Sequence, residues 1–85
     1  MKTYSFSKES TAGILRGLRA TARLSQKELA EKSGVSESAI KGYENAENVM
    51  SLEAAVKLAN VFGITPDSLV NTVEIDERKG TAVAD

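Results

Sequence analysis

The sequence predicts an all-α fold, a compact domain of five helices. Along the chain, apolar residues recur at spacings of three and four, which places them on one face of a helix. A serine or threonine precedes each of these segments and a glycine follows two of them, as at the ends of helices. The only proline, Pro66, follows the last of these serine or threonine residues. A chain of 85 residues has room for one such domain.

The first helix is predicted over residues 8–22, with Ser7 as its N-cap. Ile14, Leu15 and Leu18 lie on one face at this spacing and are expected to point into the core. The residues before the helix, 1–7, form an N-terminal arm.

A capping box predicts the start of the second helix. The Ser25 hydroxyl accepts a hydrogen bond from the backbone N–H of Glu28, and the Glu28 carboxylate accepts one from the backbone N–H of Ser25. Gly34 predicts the end of this helix, because glycine readily adopts the left-handed conformation that stops a helix. Ser36 is the N-cap of the third helix, which is predicted over residues 37–45.

Ser51 is the predicted N-cap of the fourth helix, which has a broad apolar face and ends at Gly63. Thr65 followed by Pro66 predicts a short fifth helix, since proline is favoured at the first helical position. The helical domain is therefore predicted over residues 8–71.

Residues 72–85 form an acidic C-terminal tail. Within it the segment Val73–Asp76 alternates apolar and polar residues like a strand, and so does Tyr4–Phe6. These segments are expected either to pair with each other or to make a dimer contact with a second subunit. A frayed end is expected from Gly80 to Asp85.

The composition restricts the function classes. With 11 basic and 12 acidic residues the net charge is -1, so nucleic-acid binding would need a local arrangement of charge. The chain has no Cys and no His, and no nucleophile–base pair can be proposed, so we expect a binding protein rather than an enzyme, without metal or cofactor. No segment approaches the about 18 to 20 apolar residues that span a bilayer, and no signal-peptide run precedes residue 7. A cytoplasmic location without membrane contact is expected.

The most informative segment contains the second and third predicted helices. Two helices that cross at a wide angle after so short a turn need a residue that tolerates positive φ, here Gly34. They also need a small side chain where they approach, here Ala30, and branched apolar residues at the angle, here Val35 and Ile40. This pattern predicts a helix-turn-helix, in which one face of the third helix stays free. An α-helix fits the major groove of B-DNA.

Five short motifs extend this pattern over most of the chain. They are LRGLR at 15–19, LSQKELAEKSGVS at 24–36, IKGYEN at 40–45, SLE at 51–53 and LANVFGI at 58–64. Through these motifs the chain resembles the lambda-repressor-like, Cro-type helix-turn-helix domains, also called the xenobiotic-response-element family. The resemblance implies a five-helix domain whose third helix reads double-stranded DNA, usually as a homodimer.

The resemblance also assigns roles to individual residues. The groove-facing positions of the third helix, which read the bases, are Ser36, Glu37, Ser38, Lys41 and Gly42. The candidate phosphate contacts lie around the start of the second helix and at the end of the third, at Arg23, Ser25, Gln26, Lys27 and Asn45. Arg19 and Glu44 match a structural ion pair between the first and third helices.

Three positions depart from the family pattern. Ala46 replaces a usual glycine, so the third helix is expected to close in another way. Glu47 makes the loop after the third helix acidic, where family members often have a basic loop. Glu37 occupies a readout position at which uncharged amide side chains are common. Residues 15–45 hold six basic and four acidic side chains, a modest excess that makes DNA affinity depend on dimerisation. The candidate dimer surface combines apolar residues of the fifth helix and the tail: Leu69, Val70, Val73 and Ile75.

We therefore predict a sequence-specific DNA-binding transcriptional regulator, a repressor. The acidic loop and tail also favour a second interpretation, a protein-interaction module such as the antitoxin of a toxin–antitoxin pair. Both interpretations stay open at the level of sequence, because an antitoxin can also bind its own promoter.

Overall fold

The computed structural model describes residues 3–70, 72–76 and 81–83, and describes side chains within residues 6–70. The elements in chain order are β1 (Thr3–Phe6), α1 (Lys8–Thr21), α2 (Gln26–Ser33), α3 (Glu37–Glu44), α4 (Leu52–Phe62), the 3-10 helix η1 (Pro66–Ser68), β2 (Thr72–Asp76) and β3 (Thr81–Val83). The body of the protein is the predicted compact all-α domain. Among the described residues it has four α-helices rather than the predicted five.

The prediction of a fifth α-helix is wrong. Residues Pro66–Ser68 form a single 3-10 turn, in which the N–H of Leu69 donates to the carbonyl of Pro66 at 3.1 Å. The side chain of Thr65 makes no capping hydrogen bond to this turn. Forming a single helical turn restricts several backbone dihedral angles but gains few hydrogen bonds. Because no capping hydrogen bond stabilises this turn, it does not extend into an α-helix.

All four α-helices begin at the predicted serine N-caps. Each hydroxyl oxygen accepts a hydrogen bond from the backbone N–H three residues later, at 3.0 to 3.2 Å. The capping residues are Ser7, Ser25, Ser36 and Ser51. These contacts satisfy backbone donors that a helix leaves without an internal partner.

The α-helices end in left-handed residues, only two of which are glycine. Gly34 after α2 has φ 81° and Gly63 after α4 has φ 67°, as predicted. Arg23 after α1 has φ 57° and Ala46 after α3 has φ 58°. The expectation that α3 would close in another way without glycine is therefore wrong, because Ala46 adopts the conformation that a glycine would take.

The core contains one large, fully buried side chain from each α-helix and one from the residue that follows η1: Leu15, Leu29, Ile40, Leu58 and Leu69. Val35, in the turn before α3, and Tyr43, near the end of α3, add to this cluster. One face of α3 therefore packs against the core, and the opposite face is available for other contacts.

The strands form an antiparallel sheet in the order β1-β2-β3. Thr3 pairs with Ile75 and Phe6 with Thr72, so the two segments with strand-like alternation pair with each other. Thr81 pairs with Asp76, and the prediction of a frayed end is wrong for Thr81–Val83. Within the part of the chain that the structure describes, no helix has the length and apolar character that crossing a bilayer requires.

Candidate nucleic-acid interface

The turn between α2 and α3 has the geometry that the sequence pattern predicts. The N–H of Gly34 donates to the carbonyl of Ala30 at 3.0 Å, and the N–H of Val35 donates to the Ser33 hydroxyl at 3.1 Å. Val35 and Ile40 are buried, and Ala30 packs against the same core. Local hydrogen bonds and buried branched side chains together set the angle between α2 and α3.

The outward face of α3 carries polar side chains. Ser36, Ser38 and Lys41 are exposed, and the Glu37 side chain is 42% exposed. The Nζ atom of Lys41 lies 3.5 Å from Oε2 of Glu37, one helical turn earlier. Two of the predicted readout residues therefore form an exposed ion pair, which contributes little to stability.

Gly42 differs from the other predicted readout residues because it is buried. A Cβ atom built on Gly42 would lie 2.5 Å from Nδ2 of Asn48, so the Asn48 side chain covers this position. The expectation that Gly42 lies on the open face of the third helix is wrong. Sequence reasoning missed Asn48 because only the path of the α3–α4 loop brings it there.

A buried carboxylate joins three helical elements beside this face. Glu44, near the end of α3, is 3% exposed. Its Oε2 accepts from Nε of Arg19 at 2.7 Å, and its Oε1 accepts from Nη2 of Arg19 at 2.9 Å. Its Oε1 also accepts from Nε2 of Gln26 at 3.2 Å. We call Arg19, Gln26 and Glu44 the Glu44 cluster.

The ion pair suggested by the resemblance is thus present in bidentate form. The hydrogen bond with Glu44 raises the pKa of Arg19 above its ordinary value, although partial burial acts in the opposite direction. Nη1 of Arg19 also donates to the carbonyl of Leu24 at 2.9 Å. One guanidinium therefore connects α1, the segment before α2 and the end of α3.

The predicted phosphate contacts lie mainly around the start of α2. Gln26 is the first residue of α2 and is half-buried, whereas Arg23, Ser25 and Lys27 are exposed. Asn45 is the C-cap of α3 and is also exposed. The N-terminus of a helix favours anions through its free N–H groups and its dipole.

The capping box occupies part of this helix start. The Ser25 hydroxyl accepts from the N–H of Glu28 at 3.0 Å, and Oε1 of Glu28 accepts from the N–H of Ser25 at 3.0 Å. The backbone hydrogen bond from Ser25 lowers the pKa of Glu28 below its ordinary value. The Ser25 hydroxyl still has its own hydrogen to donate.

An apolar groove of about 490 Å³ lies between the start of α4, η1 and the end of β1. Leu52, Phe6 and Val70 line it, and Leu52 is 78% exposed. Leu69, which was predicted on the dimer surface, is fully buried in the core, so that prediction is wrong for this residue. The side chains of Val73 and Ile75 lie outside the described residues.

A family model described as helix-turn-helix matches residues 15–69. The chain belongs to this helix-turn-helix family. The match contains all of α2, α3 and α4, and with them the Glu44 cluster.

Solved structures of two other proteins have a similar fold. The restriction-modification controller protein C.AhdI from Aeromonas hydrophila is 35% identical, with 73% of this chain and 94% of that chain covered and a TM-score of 0.68. The clp gene regulator ClgR from Corynebacterium glutamicum is 28% identical, with 73% and 81% covered and a TM-score of 0.64.

A structure of HppE matches at 22% identity with a TM-score of 0.65, over 75% of this chain and 36% of that chain. At this identity the likeness concerns the fold alone. No curated protein sequence matches the chain.

Proposed function

We propose that this helix-turn-helix protein is a sequence-specific DNA-binding transcriptional regulator that inserts α3 into the major groove. The observation that carries the proposal is the contrast between the two faces of α3. Ile40 and Tyr43 anchor the helix in the core, while Ser38 and Lys41 remain exposed. A polar helix face held outward by its neighbours is what major-groove recognition requires.

The residues that read the bases are then the exposed ones of the predicted set: Ser36, Glu37, Ser38 and Lys41. Phosphate contacts come from Arg23, Ser25, Gln26, Lys27 and Asn45. The likeness to a restriction-modification controller protein and to a clp gene regulator supports a regulatory role. We propose that the protein acts in the cytoplasm as a repressor. A domain bound to promoter DNA blocks the access of other proteins to that DNA and needs no further contacts to do so.

Selection of binding sites from random duplexes at two salt concentrations tests this function. We expect enrichment of one short motif and an affinity that falls with salt, with a slope of about 0.9 per phosphate contact on a double-logarithmic plot. Affinity that is equal for all duplexes would contradict specific recognition. Absence of binding at low salt would contradict DNA binding altogether.

We further propose that the protein acts as a homodimer through the apolar groove. The groove and the exposed Leu52 lie on one surface, so a two-fold arrangement lets Leu52 of each copy enter the groove of the other. Two half-sites would then be about 34 Å apart on the DNA.

Sedimentation of the free protein at tens of micromolar tests the dimer. L52K is expected to give a monomer with weaker DNA binding, because a charge would have to enter the apolar groove. V56K is the matched control, since Val56 is an exposed apolar residue of the same helix that does not line this groove. A wild-type monomer that selects no DNA and co-purifies with a second protein would favour the antitoxin-like interaction module instead.

A further inference from the structure

Glu44 is an unexpected neighbour for a phosphate-binding residue. It is a buried carboxylate, and its Oε1 lies 3.2 Å from Nε2 of Gln26, the residue proposed to hold a DNA phosphate. A negative charge beside a phosphate site weakens anion binding unless it is compensated. The bidentate contact with Arg19 supplies the compensating positive charge. The net charge of the Glu44 cluster is therefore zero. The carboxylate can then influence phosphate binding through the position of its oxygen atoms rather than through its charge.

The hydrogen bond from Gln26 to Glu44 selects one orientation of the Gln26 amide. An ionised carboxylate only accepts hydrogen bonds, so Gln26 must turn its NH₂ group, not its carbonyl oxygen, toward Glu44. The flipped amide would place two oxygens against each other. The NH₂ group has two hydrogens, and Glu44 Oε1 takes one of them. The second hydrogen remains for another acceptor.

The position of the amide is restricted as well as its orientation. Gln26 is the first residue of α2, and Arg19 holds the carbonyl of Leu24 two residues earlier through Nη1 at 2.9 Å. The same arginine holds Glu44. The backbone before Gln26 and the carboxylate that receives its side chain are therefore tied to one guanidinium. Such preorganisation reduces the entropy that phosphate binding would otherwise cost.

We infer that Glu44 is a positioning residue for DNA backbone recognition, which orients the Gln26 amide so that an N–H group faces a phosphate oxygen. This inference rests on the proposed DNA-binding function. It goes further than the ion pair itself, because a carboxylate that merely joined α1 to α3 would have no influence on how Gln26 binds an anion.

The test is a double-mutant cycle on DNA affinity with Q26A, E44A and the double variant, at a temperature where all are folded. We expect Q26A to weaken binding about tenfold, as for one lost hydrogen bond to a charged group. We expect the double variant to bind DNA no more weakly than E44A, because without the carboxylate the Gln26 amide is no longer oriented. Additive losses would overturn the inference and leave the proposed function intact, whereas absence of DNA binding by the wild type would overturn the function.

The control variant is R19K, which weakens the ion pair but leaves the Gln26–Glu44 hydrogen bond possible. If Glu44 acts on Gln26, the Q26A loss persists in the R19K background and disappears in the E44A background. Loss of the Q26A effect in both would indicate a purely structural role and overturn the inference.

A measurement on the wild-type protein covers the case in which E44A does not fold. The two side-chain N–H protons of Gln26 are followed by ¹⁵N NMR during titration with the selected duplex. We expect one proton to be shifted by its hydrogen bond in the free protein, and the other to shift only when DNA binds. If both protons have the ordinary chemical shifts of a solvent-exposed glutamine amide in the free protein, or if neither responds to a bound duplex, the inference is overturned.

Discussion

The guanidinium of Arg19 in α1 and the carboxylate of Glu44 in α3 form two parallel hydrogen bonds, at 2.7 and 2.9 Å. The two residues are 25 positions apart in the chain, so the pair connects elements that are distant in sequence. The side chain of Glu44 is 2% exposed and that of Arg19 is 23% exposed. Among the described residues, no buried side-chain polar atom lacks a hydrogen-bond partner.

E44A is expected to lower the free energy of unfolding by about 2 to 3 kcal/mol, because it removes the partner of a partly buried cation. Urea denaturation of E44A, R19A and the double variant measures this. The double variant should cost less than the sum of the two single variants. The control is E53A, which breaks the exposed pair between Glu53 and Lys57 and should cost less than about 0.5 kcal/mol. Equal losses in E44A and E53A would contradict the stabilising role of the buried pair.

A46G is expected to stabilise the protein by about 1 kcal/mol. Ala46 has φ 58°, and the N–H groups of Ala46 and Glu47 donate to the carbonyls of Tyr43 and Gly42 at 3.3 and 2.9 Å. This is the Schellman geometry in which glycine avoids the steric cost of a Cβ. Thermal or urea denaturation tests the change.

The matched control for A46G is A20G. Ala20 is exposed within α1, where the same substitution increases backbone freedom and should destabilise by about 0.5 to 1 kcal/mol. A destabilising effect of A46G similar to that of A20G would show that the left-handed conformation carries no strain.

Substitutions of Arg23 test the backbone strain at this position and the charge of its side chain separately. It has φ 57°, and the N–H of Leu24 donates to the carbonyl of Arg19 at 3.1 Å, so a glycine at position 23 suits the turn after α1. R23G is expected to raise the free energy of unfolding by about 1 kcal/mol and to weaken DNA binding. The slope of affinity against salt should fall by about 0.9, which corresponds to one phosphate contact.

R23K is the control for the charge at this position, because lysine keeps the cation and also the strain. It should retain most of the salt dependence of the wild type and gain no stability. An R23G variant that binds DNA as tightly as the wild type would remove Arg23 from the proposed interface.

The capping box predicts a specific dependence of stability on pH. The pKa of Glu28 is lowered in the folded state by the hydrogen bond from the Ser25 N–H. Its contribution is therefore fully present above the pKa of an unfolded glutamate, about 4.3, and is lost as the pH falls through the lower folded pKa. The wild type should lose its advantage over E28Q between about pH 5 and pH 2.

Thermal unfolding over this pH range measures the difference between the wild type and E28Q. E31Q, which removes a carboxylate from the same helix outside the capping box, is the control for the change in net charge. A constant difference between the wild type and E28Q at all pH values would contradict the proposed role of the Glu28 carboxylate.

The helix boundaries were predictable from sequence because the interactions that set them are local. The Ser25–Glu28 capping box joins residues three apart, and Gly34 ends α2 through its own backbone preference. The exception is the predicted fifth helix, since Pro66 is compatible with the first residue of either a 3-10 or an α-helix. Propensity at one position does not decide how far a helix extends.

The candidate interface was predictable only in part. Exposure of Ser38 and Lys41 follows from the helical period, once Ile40 is taken as the buried residue. Burial of Gly42 does not follow from that period, because Asn48 covers it from the next loop. Leu69 looked available for a dimer surface, but the packing of η1 on α4 turns it into the core.

The amino-acid sequence by itself determined the four α-helices, their serine caps and the turn that sets α2 against α3, because these depend on hydrogen bonds and backbone preferences within a few residues. Only the tertiary structure decided that one buried carboxylate accepts hydrogen bonds from both a guanidinium and an amide. Glu44 meets Arg19 across 25 residues and Gln26 across 18, and only the packing of the helices into a common core brings their atoms within hydrogen-bond distance.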